Sequence, residues 1–137
     1  VESPADVDKL MALTDPANVF LLFDTGHAYF GGAQDPVTLL QKHVKRVAHV
    51  HCKDVRAKVI DQDRNARRSF LNGVINGTFT VPGDGALDYE AVLSTLKNAG
   101  YEGWLVVEAE QDPAVAPSYE YAKKGYDTLR AIVDRLG

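Results

Sequence analysis

Cysteine is nearly absent from this sequence. Cys52 is the only one and has no partner for an internal disulfide, so a reducing compartment and a cytoplasmic location are expected. No apolar run nears the roughly 20 residues that span a bilayer. No secretory leader pattern opens the sequence. Both observations predict that a membrane is not a partner. Basic residues are outnumbered, 15 Lys and Arg against 19 Asp and Glu, for a formal net charge of −4. That balance argues against nucleic acid as the main partner. Low-complexity tracts, internal repeats and flexible interdomain linkers are also lacking. Asn76-Gly77-Thr78 has the form of a glycosylation acceptor, but nothing else points to secretion. No initiator methionine is seen; Val1 runs straight into a helix signal, so a processed or truncated chain is expected.

What is present describes a folded α/β chain. The 137 residues are 45% hydrophobic and 25% charged, the profile of one compact domain, expected to span residues 1–137. Ser3-Pro4 reads as an N-cap and first helical position. Val7, Leu10 and Met11 follow on one face, and Asp15-Pro16 marks the stop. Val19-Phe20-Leu21-Leu22-Phe23 is apolar on both faces and ends at Asp24, as suits a strand of a parallel sheet. A loop is expected from Thr25 to Gln34. Asp35-Pro36 opens a helix with Val37, Leu40 and Val44 inward, and residues 46–51 read as a second strand. A long connection, 55–87, is expected to carry short helices near 58–67 and 69–75 and to end in the irregular Val81-Pro82-Gly83-Asp84-Gly85. Asp88 caps a helix with Tyr89, Val92, Leu93 and Leu96 on one face, closed by Asn98-Ala99-Gly100. Residues 104–107 form a third strand ending at Glu108. A last helix, about 117–135, is expected to turn Ala122, Tyr126, Leu129, Val133 and Leu136 inward.

Strict alternation of helix and strand implies parallel strands joined by crossover helices. A small open sheet and a piece of a (β/α)8 barrel compete. A whole barrel takes about 250 residues, and three strands cannot close one.

The strand ends decide between them. Asp24 and His27 follow the first strand, His51, Lys53 and Asp54 the second, Glu108 and Glu110 the third. Active sites of α/β folds lie at the C-terminal strand ends. Parallel neighbours would bring one such residue per strand to a common centre. Two carboxylates and an imidazole suit a divalent ion such as Mn²⁺, Co²⁺, Fe²⁺ or Zn²⁺.

These residues carry a resemblance. Asp24-Thr25-Gly26-His27, His49-Val50-His51-Cys52-Lys53-Asp54 and Val106-Val107-Glu108 resemble the D-x-x-H, H-x-K-D and terminal-Glu motifs of the xylose-isomerase-like superfamily. Val81 to Gly85 and Gly103-Trp104-Leu105-Val106-Val107-Glu108-Ala109-Glu110-Gln111-Asp112-Pro113 narrow it to the inosose dehydratases. The resemblance implies the C-terminal portion, about three βα units, of a (β/α)8 TIM barrel whose earlier strands are absent. With them would go a metal-binding Glu on the strand preceding the first seen here. It implies a carbon–oxygen lyase of inositol catabolism that dehydrates 2-keto-myo-inositol to a trihydroxycyclohexane-dione through a metal-stabilised enediolate. The substrate would be a small cyclitol ketone and the metal Mn²⁺ or Co²⁺. An isomerase or epimerase of the same superfamily is the alternative, and a non-catalytic barrel fragment the second. An endonuclease is disfavoured by the acidic chain.

The resemblance also implies roles. Asp24, His51 and Glu108 would be metal ligands, and Glu108 would double as acid/base. His27 would orient substrate oxygens or support the metal shell, or merely cap its loop. Lys53 would hold a substrate hydroxyl or stabilise an enolate, or pair with Asp54, and Arg56 is a weaker candidate for the substrate or enolate role. His49 can point inward beside His51 as an interior residue. Glu110 is either a supporting partner of the metal site or a surface carboxylate. His43 is expected to be solvated. The loop of Gly83, Asp84 and Gly85 would cover the pocket or form a tight turn. Tyr119, Tyr121 and Tyr126 read as helix packing, and Cys52 points opposite His51 as no nucleophile. A homo-oligomer, or association with the missing N-terminal part, is expected.

Overall fold

Ser3 accepts a hydrogen bond from Asp6 N–H and starts α1 (Pro4–Leu13) with Pro4 in its first turn. In the computed structural model, which describes residues 3–33 and 35–137, the chain continues through β1 (Leu21–Asp24), α2 (Thr25–Phe30), α3 (Pro36–His43), β2 (Val47–Cys52), β3 (Asp54–Val55) and α4 (Ala57–Asn65). It goes on through α5 (Phe70–Ile75), β4 (Phe79–Thr80), α6 (Tyr89–Asn98), β5 (Leu105–Val107) and α7 (Ser118–Leu136). Val1 and Gln34, both used in the sequence reading, lie outside the described residues. Among the described residues no helix is long and apolar enough to cross a membrane.

The three long-range strands form a parallel sheet in the order β1-β2-β5. Asp24 pairs with His51, and Cys52 with Val107, so the three C-terminal strand ends share one edge, as expected. Phe23, Val50 and Cys52 face the helices and are buried there with Leu40, Leu93, Leu96 and Leu129. The opposite face carries half-exposed Leu22 and the T-shaped pair His49 and His51. Both histidines therefore share the face turned away from the helices, and Cys52 points away from them.

The structure departs from the sequence reading of the elements most clearly in four places, beside one-residue shifts such as β5 beginning at Leu105. Residues 25–30 are helical rather than loop. Asp24 accepts from His27 N–H at 2.8 Å and caps a helix that begins directly on the strand end. Strand β1 starts at Leu21, because the Val19 carbonyl is taken by Arg46 Nε at 2.9 Å and Nη2 at 2.7 Å rather than by a neighbouring strand. The long connection contains short helices where they were expected. It also contains an unforeseen antiparallel pair, β3 with β4, which matches Asp54 to Thr80 and Val55 to Phe79. Finally, α7 is rotated: Ala122, Tyr126 and Val133 are exposed, and Gly125, Leu129 and Ile132 face inward. Gly125 explains the rotation. A Cβ there would lie 2.6 Å from Val107 Cγ1 and 3.1 Å from Val81 Cβ, so only a bare backbone lets α7 close on β5.

Candidate active site

Asp24, His51 and Glu108 converge on one point. One ligand atom of each lies within 4.8 Å of the others. His51 Nδ1 is 2.7 Å from Glu108 Oε2 and 3.6 Å from Asp24 Oδ2. Asp24 divides its work: Oδ1 caps α2, which leaves Oδ2 aimed at the centre. Two carboxylates and an imidazole at this spacing fit a divalent cation by donor chemistry and by convergence.

Lys53 enters the same centre. Its side chain is 2% exposed, and Nζ lies 3.4 Å from Asp24 Oδ2 and 3.2 Å from Glu108 Oε2. On its other side Nζ lies 3.1 Å from Glu110 Oε2 and 2.9 Å from His27 Nε2. His27 Nε2 and Glu110 Oε2 are themselves 3.2 Å apart. Burial pushes the Lys53 ammonium toward neutrality, but Asp24, Glu110 and Glu108 outweigh it and hold its pKa above the ordinary lysine value. Burial likewise raises Glu108, while Lys53 and His51 outweigh it and hold the carboxyl below its usual range. The centre is thus an ion cluster, with Lys53 charged and Glu108 ionised at neutral pH.

Three residues to which the sequence reading gave no role in the site, Thr25, Gly26 and Tyr89, build this arrangement. The Thr25 hydroxyl accepts from Lys53 N–H at 3.1 Å, donates to the Lys53 carbonyl at 2.8 Å and shares a 2.8 Å hydrogen bond with the Tyr89 hydroxyl. Thr25 and Tyr89 are buried, so this clamp fixes the chain just past β2. Gly26 leaves room for the lysine stem: a Cβ there would sit 2.7 Å from Lys53 Cγ. The signal was available as two small residues inside Asp24-Thr25-Gly26-His27. Phe79 and Phe70 then wall the site, with ring centroids 5.0 and 6.2 Å from that of His27.

Other candidates fall elsewhere. Lys53 does not pair with Asp54, which corrects one expectation. Asp54 turns back to accept from Val55 N–H at 2.8 Å and Leu87 N–H at 3.0 Å. Its burial raises the carboxyl pKa, and bonds from Leu87, Val55, Gly83 and Gly85 only partly reverse this. Gly85 packs against it, and a Cβ would meet Asp54 Oδ1 at 2.3 Å. The loop of Gly83 to Gly85 is therefore a turn closed on Asp54. Arg56 is drawn away from the centre by the Gly77 carbonyl at 2.8 Å, Thr80 Oγ1 at 3.2 Å and Asp84 Oδ2 at 2.5 Å. His43 is not simply solvated: its Nε2 lies 2.7 Å from Asp8 Oδ1. Tyr119 and Tyr126 are exposed, so the packing role read for them does not hold, while Tyr121 is half-buried. Burial, with Asp24 nearby, pushes the Cys52 thiol up to about 12, consistent with no nucleophilic role.

Comparison with known proteins agrees with this architecture. The family described as xylose isomerase-like TIM barrel matches residues 1–132. Among curated relatives, the inosose dehydratase of Klebsiella pneumoniae (strain ATCC 700721 / MGH 78578) is 52% identical over 132 residues, 95% of this chain and 44% of that protein. The inosose dehydratase of Clostridium botulinum (strain Eklund 17B / Type B) is 50% identical over 130 residues, 95% of this chain and 43% of that protein. The chain thus spans less than half the length of the curated relatives it matches. A crystal structure of a xylose isomerase domain protein from Planctomyces limnophilus superposes with TM-score 0.67 at 24% identity, over 97% of this chain and 43% of that one. A D-tagatose 3-epimerase-like protein does so with TM-score 0.58 at 22% identity, over 96% and 43%. At those identities the two structures speak for the fold alone. Sequence match, parallel strand order and shared functional edge agree, and the chain belongs to the xylose isomerase-like TIM barrel family.

Proposed function

We propose that this chain contributes the metal-binding and one proton-transferring part of a hydro-lyase that dehydrates 2-keto-myo-inositol to a trihydroxycyclohexane-1,2-dione. The observation that carries the reading is the convergence of Asp24, His51 and Glu108 beside a buried, charged Lys53. Identity of about half to proteins named inosose dehydratase supports the choice of reaction and substrate. Asp24, His51 and Glu108 would hold a divalent cation, Mn²⁺ or Co²⁺ by preference, which when bound supplies Lewis acidity toward the ketone and its neighbouring hydroxyl.

The chain's own groups then divide the rest. Glu108 is ionised and takes the proton from the carbon next to the ketone. That C–H bond breaks, and its electron pair becomes the new C=C bond. Lys53 faces the negative charge that develops on the oxygens. His27 sits across Lys53 and orients a substrate hydroxyl. An acid protonates the β-hydroxyl, the ketone re-forms as the enolate pair moves between the α and β carbons, the β C–O bond breaks to release water, and the resulting hydroxyenone tautomerises to the dione. We assign that acid to the length of the relatives that this chain does not span. Phe70 and Phe79 limit water on the His27 side.

The test is dione formation followed by absorbance in the protein as its gene encodes it, before and after chelation. Glu108→Gln should lower the rate by at least about 10²-fold, the lower end of general acid–base effects. His51→Ala should abolish activity together with metal binding, and Lys53→Ala should cost less than either. Full activity after both chelation and Glu108→Gln would remove the mechanism. Product analysis separates dehydration from isomerisation.

A further inference from the structure

Lys53 has more neighbours than it can serve. An ammonium has three N–H donors, yet Nζ lies within 3.4 Å of four acceptors: Asp24 Oδ2, Glu108 Oε2, Glu110 Oε2 and His27 Nε2. These form two groups. Asp24 and Glu108 are carboxylates of the convergent triad. Glu110 and His27 lie 3.2 Å from each other and stand outside that triad. The Phe79 ring adds to the second group, with Nζ 5.3 Å from its centroid and His27 5.0 Å from it.

A divalent cation on Asp24 and Glu108 would meet a lysine cation already on the same oxygens, and like charges repel strongly at such distances. The lysine cannot leave altogether. Its backbone is clamped by Thr25, and its stem lies against Gly26. Only the tip can move, and the second group of acceptors is already within hydrogen-bond reach.

We propose that Glu110, with His27 and Phe79, is the berth that draws the Lys53 ammonium off Asp24 and Glu108, so that Glu110 sets metal affinity through Lys53 without being a ligand. The proposal rests on Asp24, His51 and Glu108 being the metal ligands. Glu110 is then a positioning residue. Without it the ammonium settles on the two carboxylates and competes with the incoming ion. Lys53 Nζ is already hydrogen-bonded on the Glu110 and His27 side, within ion-pair distance of Asp24 and Glu108, and a bound ion would need it to stay there.

The experiment is titration of Mn²⁺ and Co²⁺ into the protein as its gene encodes it, with His51→Ala as the control for site. Glu110→Gln should weaken both metals by roughly 10- to 100-fold, the range found for groups that support metal ligands. The visible spectrum of bound Co²⁺ should stay as in the unmodified protein, because the ligand set is intact. Lys53→Met should tighten metal binding, since the competing cation is gone. In the Lys53→Met background, Glu110→Gln should cost clearly less than in the unmodified protein, because only its direct attraction for the ion is then lost. Lys53→Gln replaces Lys53→Met should the latter not fold. An altered Co²⁺ spectrum in Glu110→Gln, weaker binding in either lysine variant, or an equal loss in both backgrounds overturns the proposal. Should neither lysine variant fold, Glu110→Gln decides alone: affinity within about twofold of the unmodified protein overturns it. Metal binding that His51→Ala leaves unchanged sinks the site assignment and this proposal with it. Binding that His51→Ala abolishes and Glu110→Gln leaves intact sinks the proposal alone.

Discussion

A methyl group on Gly26 would sit 2.7 Å from Lys53 Cγ and 2.9 Å from the Lys53 carbonyl oxygen. The first contact could relax by moving a side chain, but the second is backbone. Alanine favours a helix over glycine by about 1 kcal/mol, and α2 would gain that. Overpacking at a filled position costs about 1–3 kcal/mol, so the clash should win. Gly26→Ala is therefore expected to lower the urea midpoint and to displace Lys53, with a loss of activity like that of Lys53→Ala. An unchanged midpoint and rate would show that the lysine stem is not confined as described. The site was half legible in the sequence for a related reason. Asp24, His51 and Glu108 stand at strand ends, and parallel pairing alone brings such positions together. The partners of Lys53 are as distant in sequence, His27 26 positions off and Glu110 57, but they stand past the strand ends rather than at them. Their approach depends on α2 starting directly at the strand end and on how the chain leaves β5, which no local pattern reports.

The connection between β3 and α6 is tied to α7 by one carboxylate. Asp84 accepts from Arg56 Nη2 and Thr80 Oγ1 and pairs with Lys124 on α7. Burial pushes its pKa up, but Lys124, Thr80 and Arg56 outweigh that and hold it below the ordinary value of 3.8. The sign follows. A folded-state pKa below the unfolded one adds stability above the unfolded value, and that stability is lost as pH falls through the folded value. The contribution is thus intact at neutral pH and disappears below about pH 4. Asp84→Asn should lower the urea midpoint at pH 7 and lose less of it between pH 5 and pH 3, both figures chosen to bracket the usual aspartate range of about 3.9. Parallel curves for the two proteins would show that Asp84 carries no such linkage. Elements were legible where periodicity had length to act. All four residues read as the inner face of α6 are buried. The β3–β4 pair has two residues per strand, too few for alternation to register. In α7 the inner face contains Gly125, which has no apolar side chain for a pattern to find, so exposed Ala122, Tyr126 and Val133 read as the core in its place.

At the scale of the molecule, the sheet is the exposed part. Among the described residues β1 pairs with β2 alone and β5 with β2 alone, which leaves two edges of unpaired backbone groups. Phe20 and Leu22 are 57% and 50% exposed at the β1 edge, and Trp104 is 76% exposed where the chain enters β5. Strand edges flanked by exposed apolar side chains promote association. The curated relatives carry more than twice this length, enough for the strands that close a barrel. The 137 residues produced alone are therefore expected to self-associate, or to bind the remaining part of the barrel when it is supplied as a separate chain. Sedimentation at tens of micromolar, a rough working range for weak interfaces, checks this, and a monodisperse monomer would overturn it. Activity should follow assembly. On the proposed reading the triad would supply three ligands and one base, and an elimination would need a second group to protonate the departing hydroxyl. Lacking that partner costs at least about 10²-fold, and a more open centre leaves the metal more positions filled by water. The chain alone should thus turn over 2-keto-myo-inositol at a trace rate whether or not it self-associates. Adding the rest of the barrel in trans should restore the rate, because closure brings the second acid to the edge where Asp24, His51 and Glu108 already stand.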